Sequence, residues 1–195
     1  MSPILLGAIS SREGKVIKKP LVTIGRKRLP PGIVAVLDDP EGLRAAIREL
    51  HSYAKQNRGP GRPRRGIVFR VVEEWEYHAI RHKLADLFGP KYVSVNESLY
   101  SVPVGFLHFL DDSFVSHACN RHAVAEGARH HLVLTPGDFE RIPDVVNPRH
   151  IREFSMSKGM PRIVYEREYD GMSLVVVEEV QSKAGLTVKT AYRKK

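Results

Sequence analysis

A single cysteine, Cys119, stands in 195 residues. One thiol cannot form an internal disulfide and by itself supplies no metal cluster. No apolar run approaches the ~20 residues that a membrane-spanning helix needs, so no membrane partner is expected. The N-terminal stretch MSPILLGAISSREGK puts its apolar residues ahead of its positive charges. A secretory leader has the reverse order and a longer apolar region, so none is expected and the cytoplasm is the default compartment. There is no internal repeat. Aromatic residues are few, at 8%, but the apolar share of 42% is enough for an ordinary core.

Acidic residues are scarce in one half only. Residues 1–99 carry 18 Lys and Arg against 10 Asp and Glu, and residues 100–195 carry 13 against 12. The net charge of +9 therefore belongs almost wholly to the N-terminal half. A basic surface of this kind is either a solvated face or an electrostatic footprint for nucleic acid.

The element pattern changes near residue 98. Upstream, GIVAVL (32–37), IVFRVV (67–72) and KYVSV (91–95) read as strands. Between them lie helices from about Pro40 to Asn57 and over 73–89. The first is capped by Asp38 or Asp39; the second has an apolar stripe of Trp75, Ala79, Leu84, Leu87 and Phe88. This alternation predicts a small basic α/β domain over 1–98 with parallel strands, which an earlier strand near Leu21–Ile24 can join. Downstream, helices over 114–126 and from Thr135, a further turn bracketed by Pro143 and Pro148, and strands near 162–169, 172–180 and 186–192 predict an α+β domain over 99–195. Asp170-Gly171 marks the hairpin turn.

Candidate chemistry gathers in that second part. His117 and Arg121 are four apart and share a helix face. His122 lies about 140° around from His117 and points toward Val115, Ala118 and Cys119. On the last strand, alternation puts Leu186, Val188, Thr190 and Tyr192 on one face and Thr187, Lys189 and Ala191 on the other. A histidine, a cation and a hydroxyl converging over a sheet suit phosphodiester cleavage. Imidazole takes the 2′-hydroxyl proton, guanidinium grips the phosphate, and a hydroxyl bonds a nonbridging oxygen. Without convergence, the same residues are a packed helix and good sheet formers.

The order of three fragments is more specific than any one of them. They are His117-Ala-Cys-Asn-Arg121-His122, then Ile142-Pro143-Asp144-Val145-Val146-Asn147-Pro148, then Val188-Lys189-Thr190-Ala191-Tyr192. From about His117 to the end, the chain resembles the phage-associated branch of the barnase–EndoU–colicin–RelE-like nuclease superfamily. The resemblance implies helices followed by a four-stranded sheet and a metal-independent ribonuclease, commonly a toxin with an immunity partner. It implies catalytic roles for His117, Arg121, His122 and Thr190. Tyr165 and Arg167 match it more loosely, and with Lys189 and Tyr192 they are the candidate substrate contacts.

Arg58 to Gly66, with Arg62, Arg64 and Arg65, contains a Gly-Arg-Pro core like that of an AT-hook, but Pro60 stands where the first core arginine belongs. Either as a hook or as a stiff basic loop it can contact phosphates, DNA included. His78 and His82, with Glu74 one turn earlier, have the spacing of two zinc ligands. His51, His130, His131 and His150 are unplaced, no third ligand stands out, and no metal or cofactor is expected. The expected function is thus an endoribonuclease acting on RNA. A catalytically inactive nucleic-acid-binding module, or a phage accessory or structural protein that binds a protein partner, stays open beside it.

Overall fold

The computed structural model describes residues 23–24, 27–29, 31–57, 59, 61–89, 100, 102–122, 132–181 and 185–195, but not the side chains of 23–24, 27–28 and 120–122. Nine strands follow in chain order: β1 (Thr23–Ile24), β2 (Lys27–Arg28), β3 (Ile33–Ala35), β4 (Gly66–Val71), β5 (Leu107–Asp111), β6 (Ile151–Ser157), β7 (Met160–Tyr169), β8 (Met172–Gln181) and β9 (Gly185–Lys194). The helices are α1 (Pro40–Gln56), α2 (Glu74–Phe88), α3 (Asp112–His122) and α4 (Pro136–Val145), with a short 3-10 turn at Pro148–His150.

The molecule is a mixed α+β protein built on one seven-stranded sheet in the order β3-β4-β5-β9-β8-β7-β6. β3 and β4 are parallel, as the strand–helix–strand pattern predicts, and β6 to β9 form an antiparallel meander. The join between the halves is the antiparallel pairing of β4 with β5, and β5 in turn pairs in parallel with β9. Helices of both halves pack into one apolar cluster, with Ile47 and Ile80 from upstream meeting Phe139, Ile163 and Val188 from downstream. The division expected near residue 98 is therefore not a break in sheet or core. The strand expected to join the sheet from Leu21–Ile24 instead pairs β1 with β2 in a separate two-stranded ribbon. The strand expected over 91–95 lies outside the described residues.

Local sequence explains most elements. Asp39 caps α1 by accepting from the Gly42 amide at 2.9 Å, and Pro40 takes the first helical position. The Asp138 carboxylate accepts from the Thr135 amide and hydroxyl, both at 2.7 Å, and fixes the start of α4. Pro143 lies inside α4 and opens no second helix; the turn that follows begins at Pro148. Gly185 has φ +130°, and a Cβ there would lie 2.3 Å from the Leu107 carbonyl oxygen. Only glycine lets β9 start this close to β5.

α2 departs from its expected stripe. Its buried residues are Glu76, Ile80 and Leu84, while Trp75, Leu87 and Phe88 are 40–50% exposed. Leu84 is buried as expected, but Glu76 and Ile80 take the core positions expected for Trp75 and Ala79, so a carboxylate sits where an apolar side chain was expected.

Candidate functional site

Two groups of ionisable side chains lie on opposite sides of the C-terminal sheet. β8 supplies both. Val176 and Val180 face the helices, and Glu178 sits between them in that alternation. Val175 and Val177 face the other way, with Val164 and Tyr192, and Glu179 follows them.

On the helix side, Glu178 belongs to a fully buried array. His108 Nδ1 lies 3.1 Å from both carboxylate oxygens of Glu178, and the Tyr165 hydroxyl donates to Glu178 Oε2 at 3.1 Å. His108 Nε2 is 3.1 Å from Glu76 Oε1, an ion-pair distance without hydrogen-bond alignment. Arg70 Nη2 donates to the same Glu76 oxygen at 2.9 Å and also to the Val146 carbonyl. Glu76, His108, Tyr165 and Glu178 are 0% exposed. A bulge in β4 between Val68 and Arg70 allows Phe69 and Arg70 both to reach the helix side. Burial is the strongest influence on His108 and favours its neutral form. Glu178 and Glu76 outweigh it and hold the proton above the ordinary histidine range. Burial likewise opposes ionisation of Glu76, and His108 with Arg70 pulls it below the ordinary carboxylate range. Burial and then Glu178 push the Tyr165 phenol well above its usual value.

On the side turned away from the helices, carboxylates alternate with cations. Arg162 and Lys189 flank Glu179 at 3.1 and 3.7 Å. Arg152 and Lys194 flank Glu166 at 2.9 and 2.8 Å. Burial alone would raise the Glu166 carboxyl, but Lys194, Arg152 and Ser173 together bring it below the ordinary range. Thr187 pairs with Glu179, Thr190 with Val177 and Tyr192 with Val175 across the β8–β9 ladder, so their side chains share this face.

Thr190 reaches that face through a change of register. The alternation expected from the sequence groups Thr190 and Tyr192 with Leu186 and Val188. In the structure Val177 pairs with Thr190 and Glu178 with Val188, which leaves Lys189 as an extra residue. The bulge inverts everything after it: Leu186, Val188 and Ala191 are buried toward the helices, and Thr190 and Tyr192 turn the other way.

The expected site residues therefore do not all meet. His117 is exposed on α3, whose Phe114, Val115 and Ala118 pack on the helix side. The sheet lies between His117 and Thr190. The side chains of Arg121 and His122 lie outside the described residues. Tyr165 is buried in the array and offers no surface to a substrate. Arg167 is on the helix side with Tyr169, its guanidinium 4.8 Å from that ring. Lys189, Thr190 and Tyr192 remain together.

The basic loop is largely tied down. Arg62 Nη2 pairs with Asp112 Oδ2 at 3.0 Å and donates to Ser116 Oγ at 3.0 Å; Nη1 donates to the Asn57 carbonyl. Arg65 stacks 4.0 Å over the Tyr53 ring. Arg64 is exposed, and Arg58 lies outside the described residues. A hook-like insertion of Arg62 would require breaking its pair with buried Asp112. His78 and His82 stand exposed along α2 beside Glu74 and Asp86, at 3.8 and 3.1 Å. Among the described residues no three His, Cys, Asp or Glu side chains group as metal ligands. His51 lies 3.7 Å from Cys119 Sγ and His150 Nδ1 lies 3.1 Å from the Val145 carbonyl, while His130 and His131 lie outside the described residues.

No helix among the described residues is long and apolar enough to cross a membrane. The chain matches no family model, no curated protein and no solved structure in comparisons with each.

Proposed function

We propose that this chain is an endoribonuclease that needs no metal and holds RNA on the sheet face turned away from its helices. The observation that carries the reading is the alternation of cations, carboxylates and hydroxyls there: Arg162, Glu179 and Lys189 beside Thr187, Thr190 and Tyr192. Guanidinium and ammonium groups suit a phosphodiester and the charge that grows on it during cleavage. A threonine hydroxyl suits a nonbridging oxygen, and a tyrosine ring suits an unpaired base.

The chemistry balances with these groups and solvent water. The Glu179 carboxylate accepts the 2′-hydroxyl proton as the 2′-oxygen bonds to phosphorus. The bond to the 5′-oxygen breaks, and that oxygen leaves with a proton from solvent or a neighbouring cation. The products are a 2′,3′-cyclic phosphate and a 5′-hydroxyl. His117, across the sheet, has no part in this scheme. The resemblance in the C-terminal part supports a nuclease, and the charge excess of the N-terminal half supports a nucleic-acid partner.

One observation favours a second reading, a binding module that does not cleave: the sheet separates the implied catalytic pair His117 and Thr190. Incubation of the full chain with RNA in excess EDTA distinguishes the two. Cleavage to cyclic phosphate ends, blocked by a 2′-deoxy substitution at the cut site, is the expected result. Binding without cleavage establishes the second reading in its place.

A further inference from the structure

The four charged groups of the buried array cancel in only one protonation arrangement of the imidazole. Arg70 and protonated His108 balance Glu76 and Glu178, with Tyr165 neutral. Removing the proton from His108 leaves one uncompensated negative charge in a fully buried place. Breaking one partner of a buried ion pair is among the costliest events in a core.

That cost bears on α2 in particular. Glu76 is the charged residue of α2 that reaches the centre of the sheet, where it meets Arg70 of β4 and His108 of β5; Phe88, at the far end of the helix, touches Phe154 of β6. Otherwise α2 buries only Ile80 and Leu84. Its Trp75, Leu87 and Phe88 side chains are 40–50% exposed. Glu76 Oε2 and Arg70 Nε find no hydrogen-bond partner among the described residues, so the attachment is already under-satisfied. The other neighbours of His108 offer no spare charge: β9 pairs Leu186 beside it, and the Phe69 ring lies 5.7 Å away. Tyr165 of β7 bonds the far side of Glu178.

The structure assigns this array the role of a proton-operated latch: a proton on His108 fastens α2 to the sheet, and its loss releases the helix. The direction follows from the array. The folded state holds the His108 proton above its ordinary value of 6.5. The latch is fully set below that value and is lost as pH rises through the higher, folded one. Glu76 sets the acid limit, since its contribution is present above the ordinary 4.5 and lost only as pH falls through its lowered value. Between the ordinary value and the raised one the ratio of latched to released protein falls up to tenfold per pH unit, and it levels off above.

The chain carries its own reporter. Trp75, the single tryptophan, is the neighbour of Glu76 on α2. Its indole donates to Glu73 Oε2 at 2.7 Å, outside the array. Trp75 emission and the melting temperature of the full chain are followed from about pH 5 to about pH 9, a range that brackets histidine titration. The expected result is a one-proton change in emission on the alkaline side, with a matching fall in melting temperature. Glu178→Gln removes one negative charge, so the array then balances with a neutral imidazole. This variant is expected to keep the latched emission throughout that range and to lose the transition. Glu76→Gln restores the same balance and is the second test should Glu178→Gln not fold. An unchanged Trp75 emission across the range in the native chain overturns the latch. So does an alkaline transition that persists in either folded variant.

Discussion

Glu178 and Glu179 are adjacent in β8 and serve opposite sides of the sheet. The Glu178 carboxylate meets His108 and the Tyr165 hydroxyl inside the core, while Glu179 meets Arg162 and Lys189 on the far face. One peptide unit thus carries a charge inside the core and, on the other face, a buried carboxylate covered by two more exposed cations. Substitutions at the two positions should separate: changes around Glu178 act on folding, and changes around Glu179 act on RNA.

Tyr165→Phe tests the first side. The phenol is fully buried and its hydroxyl donates to Glu178. Its loss keeps the ring but removes one donor from a buried carboxylate. The expected cost is about 1–3 kcal/mol, read as a lower urea midpoint with unchanged slope.

Lys189→Ala tests the other. Its amine is 3.7 Å from Glu179 and its side chain is 36% exposed, so stability should change by about 1 kcal/mol or less. RNA binding should weaken, and the logarithmic salt slope should become shallower by about 1 if Lys189 contacts one phosphate. Titration at several salt concentrations reads both, and an unaltered slope removes Lys189 from the interface.

Arg62→Ala separates the two readings of the basic loop. Asp112 is buried and its carboxylate relies on Arg62 at 3.0 Å. Loss of the guanidinium should destabilise the fold by about 3 kcal/mol, somewhat less where water reaches the gap. Arg64→Ala, at an exposed position of the same loop, should leave the melting temperature unchanged. A silent Arg62→Ala would show that the pairing carries no weight in the fold.

Gly185→Ala probes the parallel β5–β9 pairing. The residue combines φ +130° with a Cβ position 2.3 Å from the Leu107 carbonyl oxygen. The expected loss exceeds about 1 kcal/mol and falls on the β5–β9 pairing. Denaturant unfolding measures the loss, and hydrogen exchange at the start of β9 locates it.

Local signals made much of this fold legible. Asp39 and Pro40 mark the start of α1, Thr135 and Pro136 that of α4, and Asp170-Gly171 the β7–β8 hairpin, because caps and tight turns act over a few residues. The partnership of β5 with β9 was not legible, since nothing local couples Leu107 to Gly185. Strand β6 was missed next to the proline-rich turn before it. The face of Thr190 was misassigned because a bulge at Lys189 leaves no mark in the alternation. The buried array leaves a signal in the sequence. Glu76 falls in register with Ile80 and Leu84, His108 shares a strand face with Leu110, and Glu178 lies between Val176 and Val180. Charged residues in step with apolar ones are ordinarily read as surface, and here they pair with each other in the core.

The central claim is that RNA is cleaved on the sheet face turned away from the helices. Thr190→Val and His117→Ala, compared in one cleavage assay with melting measured on the same samples, test it most directly. Valine keeps the shape and strand preference of Thr190. Thr190→Val is expected to slow cleavage by ~10²–10³ at an unchanged melting temperature, as loss of one preorganised donor can, and His117→Ala is expected to leave the rate intact. Cleavage that survives Thr190→Val and disappears with His117→Ala would place the site on the helix side and contradict the account.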